Sequence, residues 1–183
     1  YSKPTTKTSR VPVVDYGRLT SSLDWFYSHK VFFRLFDYEY LSDIQQNIDV
    51  MNSVGSSIGY HIIDSKRLQW DMTLGPSYQI TTFEDSTASQ TQKSGAVALS
   101  TLFEYNISSK TDFIFDYNMQ FVDEASGQRN SHLKTGFEFE FIEDFEFDVM
   151  LYVDRVAKPV ISSQQATPES NDYRLVLSVG YDF

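Results

Sequence analysis

The chain has 183 residues, with 15 Lys and Arg against 25 Asp and Glu and a net charge of −10. That length is most simply one domain, and the acidic balance lacks the basic face that nucleic acid requires. The absence of Cys excludes disulfides, thiolate metal sites and Cys nucleophiles, and three His leave little for a zinc centre.

Aromatic residues make up 16% of the chain, which is high for an acidic water-soluble domain. The longest apolar run, Val149 to Val153, is about five residues. A membrane helix needs about 20, so helical spanning is excluded and strand spanning stays open.

Residues 1–13, YSKPTTKTSRVPV, are polar and carry two prolines, so a loop or linker is expected there. From residue 14 onward the period is two. Nine alternating segments follow, at roughly 14–27, 30–40, 47–62, 66–82, 94–107, 111–123, 130–141, 145–157 and 170–183. The second is ambiguous: Phe32, Phe36 and Tyr38 oppose Val31, Phe33 and Leu35, so both faces look apolar near its start. In the fourth, Leu68, Trp70, Met72, Leu74 and Tyr78 alternate with Gln69, Asp71, Thr73 and Ser77. Pro76 beside Gly75 in that segment predicts a bulge or bend. The sixth to ninth segments are stricter still. Phe113, Phe115 and Tyr117 alternate with Asp112 and Asp116, and Phe137, Phe139 and Phe141 with Glu138 and Glu140. Helical spacing fits none of these, and strict alternation means strands with one apolar face. Most are long enough to cross a bilayer at a tilt, which takes about 9–11 residues.

Connections alternate between short ones, such as Ser28–Lys30 and Glu143–Asp144, and longer polar ones, such as Glu84–Ser94 and Ala157–Asn171. That sorting describes an all-β, antiparallel transmembrane barrel with short periplasmic turns and longer extracellular loops. Large aromatics mark the short-turn end of nearly every strand: Tyr27, Phe32, Tyr60, Trp70, Tyr105, Phe113, Phe141, Phe145 and Tyr181. They predict an aromatic girdle at the interface. The chain closes on an apolar strand ending in Tyr181 and Phe183, which resembles the C-terminal signal read by the barrel-assembly machinery. Counting back from that strand, the first one runs inward from the outside. A complete barrel of ten or twelve strands would therefore need further strands before Tyr1, making 1–13 an extracellular loop and 14–183 the C-terminal nine strands.

With the apolar face on lipid, the opposite face is acidic. Asp24, Asp49, Asp71, Glu104, Asp112, Asp116, Glu138, Glu140, Glu146, Asp148, Asp154 and Asp182 stand against Arg18, Lys134 and Arg174. Glu138, Glu140, Glu146 and Asp148, with Asp112 and Asp116 beside them, form the expected cation-attracting cluster. His61 and His132 also take inward parity, with Ser53 and Ser57 on the face of His61. No motif surrounds them, so neither catalysis nor a cofactor or bound metal is expected.

The segment GYHIIDSKRLQWDMTLGPSYQ, Gly59 to Gln79, resembles the strand–turn–strand hallmark of a family of salt-stress-induced outer-membrane proteins. The family is known as domain of unknown function 481, or YdiY-like. Gly59, Tyr60, Asp64, Gly75, Pro76 and Tyr78 carry the resemblance, and the closing YRLVLSVGYDF is similar to the family's last strand. The resemblance implies a bacterial outer-membrane barrel and brings no established activity. Residues and resemblance together lead us to expect a passive cation or small-solute conduit, or an envelope protein tied to osmotic or salt stress. The alternatives are an anchoring barrel in a larger complex and, more remotely, a lipid-modifying enzyme. Expected partners are outer-membrane lipid and lipopolysaccharide, the assembly machinery and other envelope proteins.

Overall fold

The structure is a computed structural model that describes residues 16–43, 46, 48–83, 90–142, 145–158 and 170–181. Residues 1–13 and Phe183 lie outside that set, so the expectations placed on them are not addressed. Nine strands occupy the described residues: β1 (Tyr16–Phe26), β2 (Val31–Asp43), β3 (Ile48–Asp64), β4 (Leu68–Phe83), β5 (Gln90–Ser108), β6 (Thr111–Phe121), β7 (Arg129–Ile142), β8 (Phe145–Val156) and β9 (Asn171–Tyr181). They form one sheet in sequence order, and every neighbouring pair is antiparallel. The segments read from the sequence match these strands, with two extensions: β2 runs on from 40 to Asp43, and β5 starts early. β5 begins at Gln90, because Thr91, Gln92 and Lys93 pair with Thr82, Thr81 and Ile80 where a loop was expected.

The sheet rolls up. Gln120 on β6 reaches Glu39 on β2 at 3.4 Å, and Asn130 on β7 donates to Gln79 on β4 at 3.2 Å. Strands so far apart in the sheet meet only across a concave face. That face is polar, while Leu19, Leu23, Leu74, Leu177 and Val179 stand exposed on the convex face. An apolar surface this extensive marks a site of association with lipid or protein.

β2 resolves its ambiguity with a bulge. Asp24 pairs with Arg34 and Leu23 with Phe36, which leaves Leu35 as an extra residue. Parity therefore switches inside the strand. Phe32 and Arg34 face inward before the bulge, Asp37 and Glu39 after it, and Leu35 and Phe36 are both exposed. A second bulge, between Ile48 and Val50, turns Asp49 out of the interior: Ile48 and Met51 are buried while Asp49 is exposed.

Pro76 produces no bulge. The β3–β4 register is the same on both sides of it, Gly55 opposite Ser77 and Ile58 opposite Leu74, with the pairing lapsing only in between. Proline lacks the donor for a ladder bond there, and the sheet omits the bond without shifting. Gly75 makes the omission possible. A Cβ on it would lie 2.0 Å from the Ser56 carbonyl oxygen and 2.5 Å from the Ser57 Cα.

At the long-loop end, Asp123 to Arg129 form a compact turn around a short 3₁₀ segment, closed by Gly127 at φ 106°. Lys158 Nζ lies 2.5 Å from the Glu124 carboxylate and holds that carboxyl below its usual range. Both groups are exposed, so water screens the pair and its contribution is small.

Gly75→Ala should destabilise the barrel by about 1–3 kcal/mol, because backbone atoms have to move. Gly95→Ala meets nothing within 4 Å and should change stability by less than about 0.5 kcal/mol. Thermal unfolding of the two variants, followed by circular dichroism, checks the contrast.

Candidate functional site

The concave face encloses a cavity of about 1020 Å³. Alternation along each strand supplies its lining, and the small side chains of β3 to β5 leave the room. Ser53, Gly55 and Ser57 on β3, Thr73 and Ser77 on β4, and Ala98 and Ser100 on β5 make one wall. The charged wall comes from β1, β2, β6, β7 and β9, with Asp71 added from β4. Five carboxylates line the cavity (Asp24, Asp37, Glu39, Asp71 and Asp116), with four bases, Arg18, Arg34, Lys134 and Arg174. The middle of the lumen is therefore nearly charge-balanced, against the expectation of a uniformly acidic interior. The β2 bulge accounts for much of the difference, since it turns Arg34 inward. Arg34 donates from Nε and Nη2 to the two oxygens of Asp24 at 2.8 and 3.0 Å.

The expected acidic cluster lies elsewhere on the same face. Register pairs Asp112 with Glu138, Glu138 with Asp148, and Glu140 with Glu146, all toward the short turns and outside the cavity lining. Asp116 stands apart, opposite Lys134 within the cavity. Like charges placed directly opposite repel and draw counterions. One oxygen of Asp148 accepts from Ser178 at 2.8 Å, and its other oxygen and one of Asp112 have no hydrogen-bond partner among the described residues. No three His, Asp or Glu among the described residues converge closely enough to hold a metal ion. The cluster is a diffuse acidic lining rather than a chelate. Lys134 has no ion pair among the described residues, unlike the three arginines.

Two layers of side chains pack into the long-loop end of the lumen. Outermost, Leu41, Ile48, Met51, Phe83 and Val156 form a buried apolar cluster, with Tyr16 against it. Beneath it lies Asp154, 3% exposed. Arg18 Nη1 reaches its carboxylate at 2.9 Å and His132 Nδ1 at 2.6 Å, and Arg174 also pairs with it. Arg18 pairs with Glu39 as well, and Gln46 donates to the Asp154 backbone carbonyl at 3.4 Å. β1, β7, β8 and β9 are thus tied together through one carboxylate, and β2 joins them through the Arg18–Glu39 pair. Alternation assigns Asp154 inward parity but carries no sign that it is a hub.

Both inward histidines are held by carboxylates. His61 Nδ1 lies 2.6 Å from Asp71, whose other oxygen accepts from Gln69 at 2.7 Å. Phe26 stacks on His61 with centroids 6.0 Å apart, and Phe32 lies at 4.9 Å. No serine is hydrogen-bonded to either histidine among the described residues. Phe32 therefore leaves the expected girdle: it is 3% exposed, on the lumenal side, over Gly59. Trp25 and Phe33 stack outside instead, at 5.7 Å.

The remaining girdle residues face outward. Tyr27, Tyr60, Tyr105, Phe141 and Phe145 are exposed, and Trp70 and Phe113 half-buried. From Trp70 the rings touch in sequence through Phe103, Phe113, Phe137, Phe139 and Phe141 to Phe147, at 5.3 to 6.5 Å. Tyr181 closes β9 opposite Phe145.

Sheet and lumen together define a class: an antiparallel β-barrel architecture with an apolar exterior and a charged interior. The chain belongs to the family described as protein of unknown function, DUF481, whose profile matches residues 4–183. No curated protein matches it. Among solved structures it is similar to a NanC porin in a rhombohedral crystal form, at 10% identity and TM-score 0.39, over 92% of this chain and 93% of that one.

Asp154→Ala leaves the Arg174 and His132 side chains without their shared acceptor. It should cost about 3–5 kcal/mol, as breaking a buried ion pair does. Loss of the compact, heat-modifiable form on unboiled gels at lower temperature measures it.

Proposed function

We propose that the protein is an outer-membrane β-barrel that passes small cations and small polar solutes passively, through a lumen that is wide toward the short turns and constricted at the long loops. The observation that carries this reading is the polar, charged cavity of about 1020 Å³ enclosed by a sheet whose other face is apolar. Water-filled, it would present the like-charged pairs of Glu138, Glu140, Glu146 and Asp148 at its short-turn mouth, raising the local cation concentration. Lys134 opposes entry as the one lumenal base without an ion partner among the described residues. The salt-stress association that the sequence resemblance implies fits a protein that responds to ionic conditions. The short-turn end would face the periplasm, with the outward ring of aromatics at that interface and lipid or lipopolysaccharide against the exposed leucines and valines. The assembly machinery would read the last strand.

A second reading rests on the apolar cluster of Leu41, Ile48, Met51, Phe83 and Val156. If that cluster stays shut, the barrel is a structural or anchoring element of the envelope. Single-channel recording in a planar bilayer under a salt gradient decides between the two. The conduit reading expects discrete steps with cation preference. Glu138→Gln with Glu140→Gln, Glu146→Gln and Asp148→Asn should lower that preference severalfold, and Lys134→Gln should raise it. A folded but silent barrel would sink the conduit reading and favour the structural one.

A further inference from the structure

Matching the charges of the cavity against their partners leaves one of each sign unmatched. Among the lining carboxylates, Asp24 holds Arg34, Glu39 pairs with Arg18, Asp71 is engaged by His61, and Asp116 accepts from Asn118 at 2.8 Å. Asp37 has no hydrogen bond or ion pair among the described residues. Arg34, its neighbour along β2, is committed to Asp24 through Nε and Nη2. Of the lining bases, the three arginines are ion-paired and Lys134 is not, among the described residues. Asp37 and Lys134 are both half-buried.

These two side chains line the cavity from opposite walls. Register places Asp37 on β2 between two small neighbours, Ser22 on β1 and Gly55 on β3. Lys134 lies on β7 between Asp116 on β6 and Tyr152 on β8. β2 and β6 meet across the lumen where Gln120 reaches Glu39 at 3.4 Å. Asp37 is one inward position from Glu39 toward the short turns. Lys134 is two inward positions in the same direction from Asn130, the β7 partner of Gln120. The Glu39–Gln120 contact therefore roofs a space that carries an unpaired carboxylate on one wall and an unpaired ammonium on the other.

Neither charge makes a resting place for a simple ion. A cation drawn to Asp37 meets Lys134 in the same cavity, and an anion drawn to Lys134 meets Asp37 and Asp116. Each is repelled by the charge that its opposite would satisfy. A molecule that carries both charges on one short chain is repelled at neither end. Once its first end is held, its second is presented at high effective concentration.

We propose that the cavity holds a small zwitterion end to end, with its ammonium group on Asp37 and its carboxylate on Lys134. This names the class of polar solute for the conduit reading, and it rests on the water-filled lumen of that reading. Charge-assisted hydrogen bonds at the two ends set the selectivity.

Isothermal titration calorimetry on the full chain, folded in detergent, reads binding without requiring conduction. The probes are ω-amino acids from glycine to 6-aminohexanoate, with butylamine and butanoate as analogues bearing one charge each. One chain length should bind best, at least about tenfold more tightly than either analogue, as a second charge-assisted hydrogen bond provides. A flat dependence on chain length would mean that only one end is held and would overturn the proposal. Equal binding of the analogues, or no binding of any zwitterion, would overturn it too. Lys134→Gln should abolish the advantage of the zwitterion over butylamine, and Asp37→Asn its advantage over butanoate. Variants that weaken all probes alike would overturn the assignment of the two ends. The heat-modifiable form on unboiled gels confirms that each variant is folded, and the wild-type series decides on its own if one is not. A barrel that conducts but binds no zwitterion keeps the conduit and loses this site, while one that binds and stays silent keeps the site and loses the conduit.

Discussion

A sheet with one polar and one apolar face satisfies both faces only by rolling, and everything else in this molecule follows from that constraint. Alternation along nine strands separates Leu19, Leu74 and Leu177 from Arg18, Thr73 and Ser178 by a single residue each. A flat sheet would wet both faces equally. Rolling gives the polar side an enclosed volume and leaves the apolar side to whatever surrounds it. The small residues of β3 to β5 decide how much volume. Were Gly55, Ser57, Ser77 and Ala98 larger, the cavity would be filled and the lumen would be a core.

Rolling also brings charges together that the sequence holds far apart. Arg18 and Asp154 are separated by 136 positions and meet at 2.9 Å. A buried carboxylate is costly unless paired, and Asp154 collects two arginines and a histidine. Such a hub is weak evidence for net stability, since desolvation offsets much of the attraction. Its effect is positional. It sets the curvature at the long-loop end, where β1 and β9 share no backbone hydrogen bonds among the described residues.

The fold was legible because period two is written in side-chain polarity, which needs no tertiary information to read. The errors in facing sit where strand parity changes. Leu35 is one extra residue, yet it moves Arg34 and Phe32 to the inside and Phe36 to the outside. Asp49 is lost from the interior for the same reason. Alternation does record the first event, as the stretch where both faces of β2 look apolar. What it lacks is a way to tell a bulge from a strand buried on both sides. Pro76 failed in the opposite sense: a residue that commonly marks a bulge is absorbed by Gly75 and Gly55, which let the backbones approach without a shift in register. The Asp154 hub was not legible at all, because its partners come from β1, β7 and β9.

Moving one arginine changes the electrostatic character of the interior more than its single charge suggests. With Arg34 inward and bound to Asp24, the cavity lining holds five carboxylates against four bases, while Asp112, Glu138, Glu140, Glu146 and Asp148 face one another toward the short turns of β6 to β8. Matched pairs bind mobile ions weakly because their fields cancel over a few ångströms, while like-charged pairs project theirs outward. The same strands therefore carry like-charged pairs toward the short turns and a nearly balanced set of charges in the cavity.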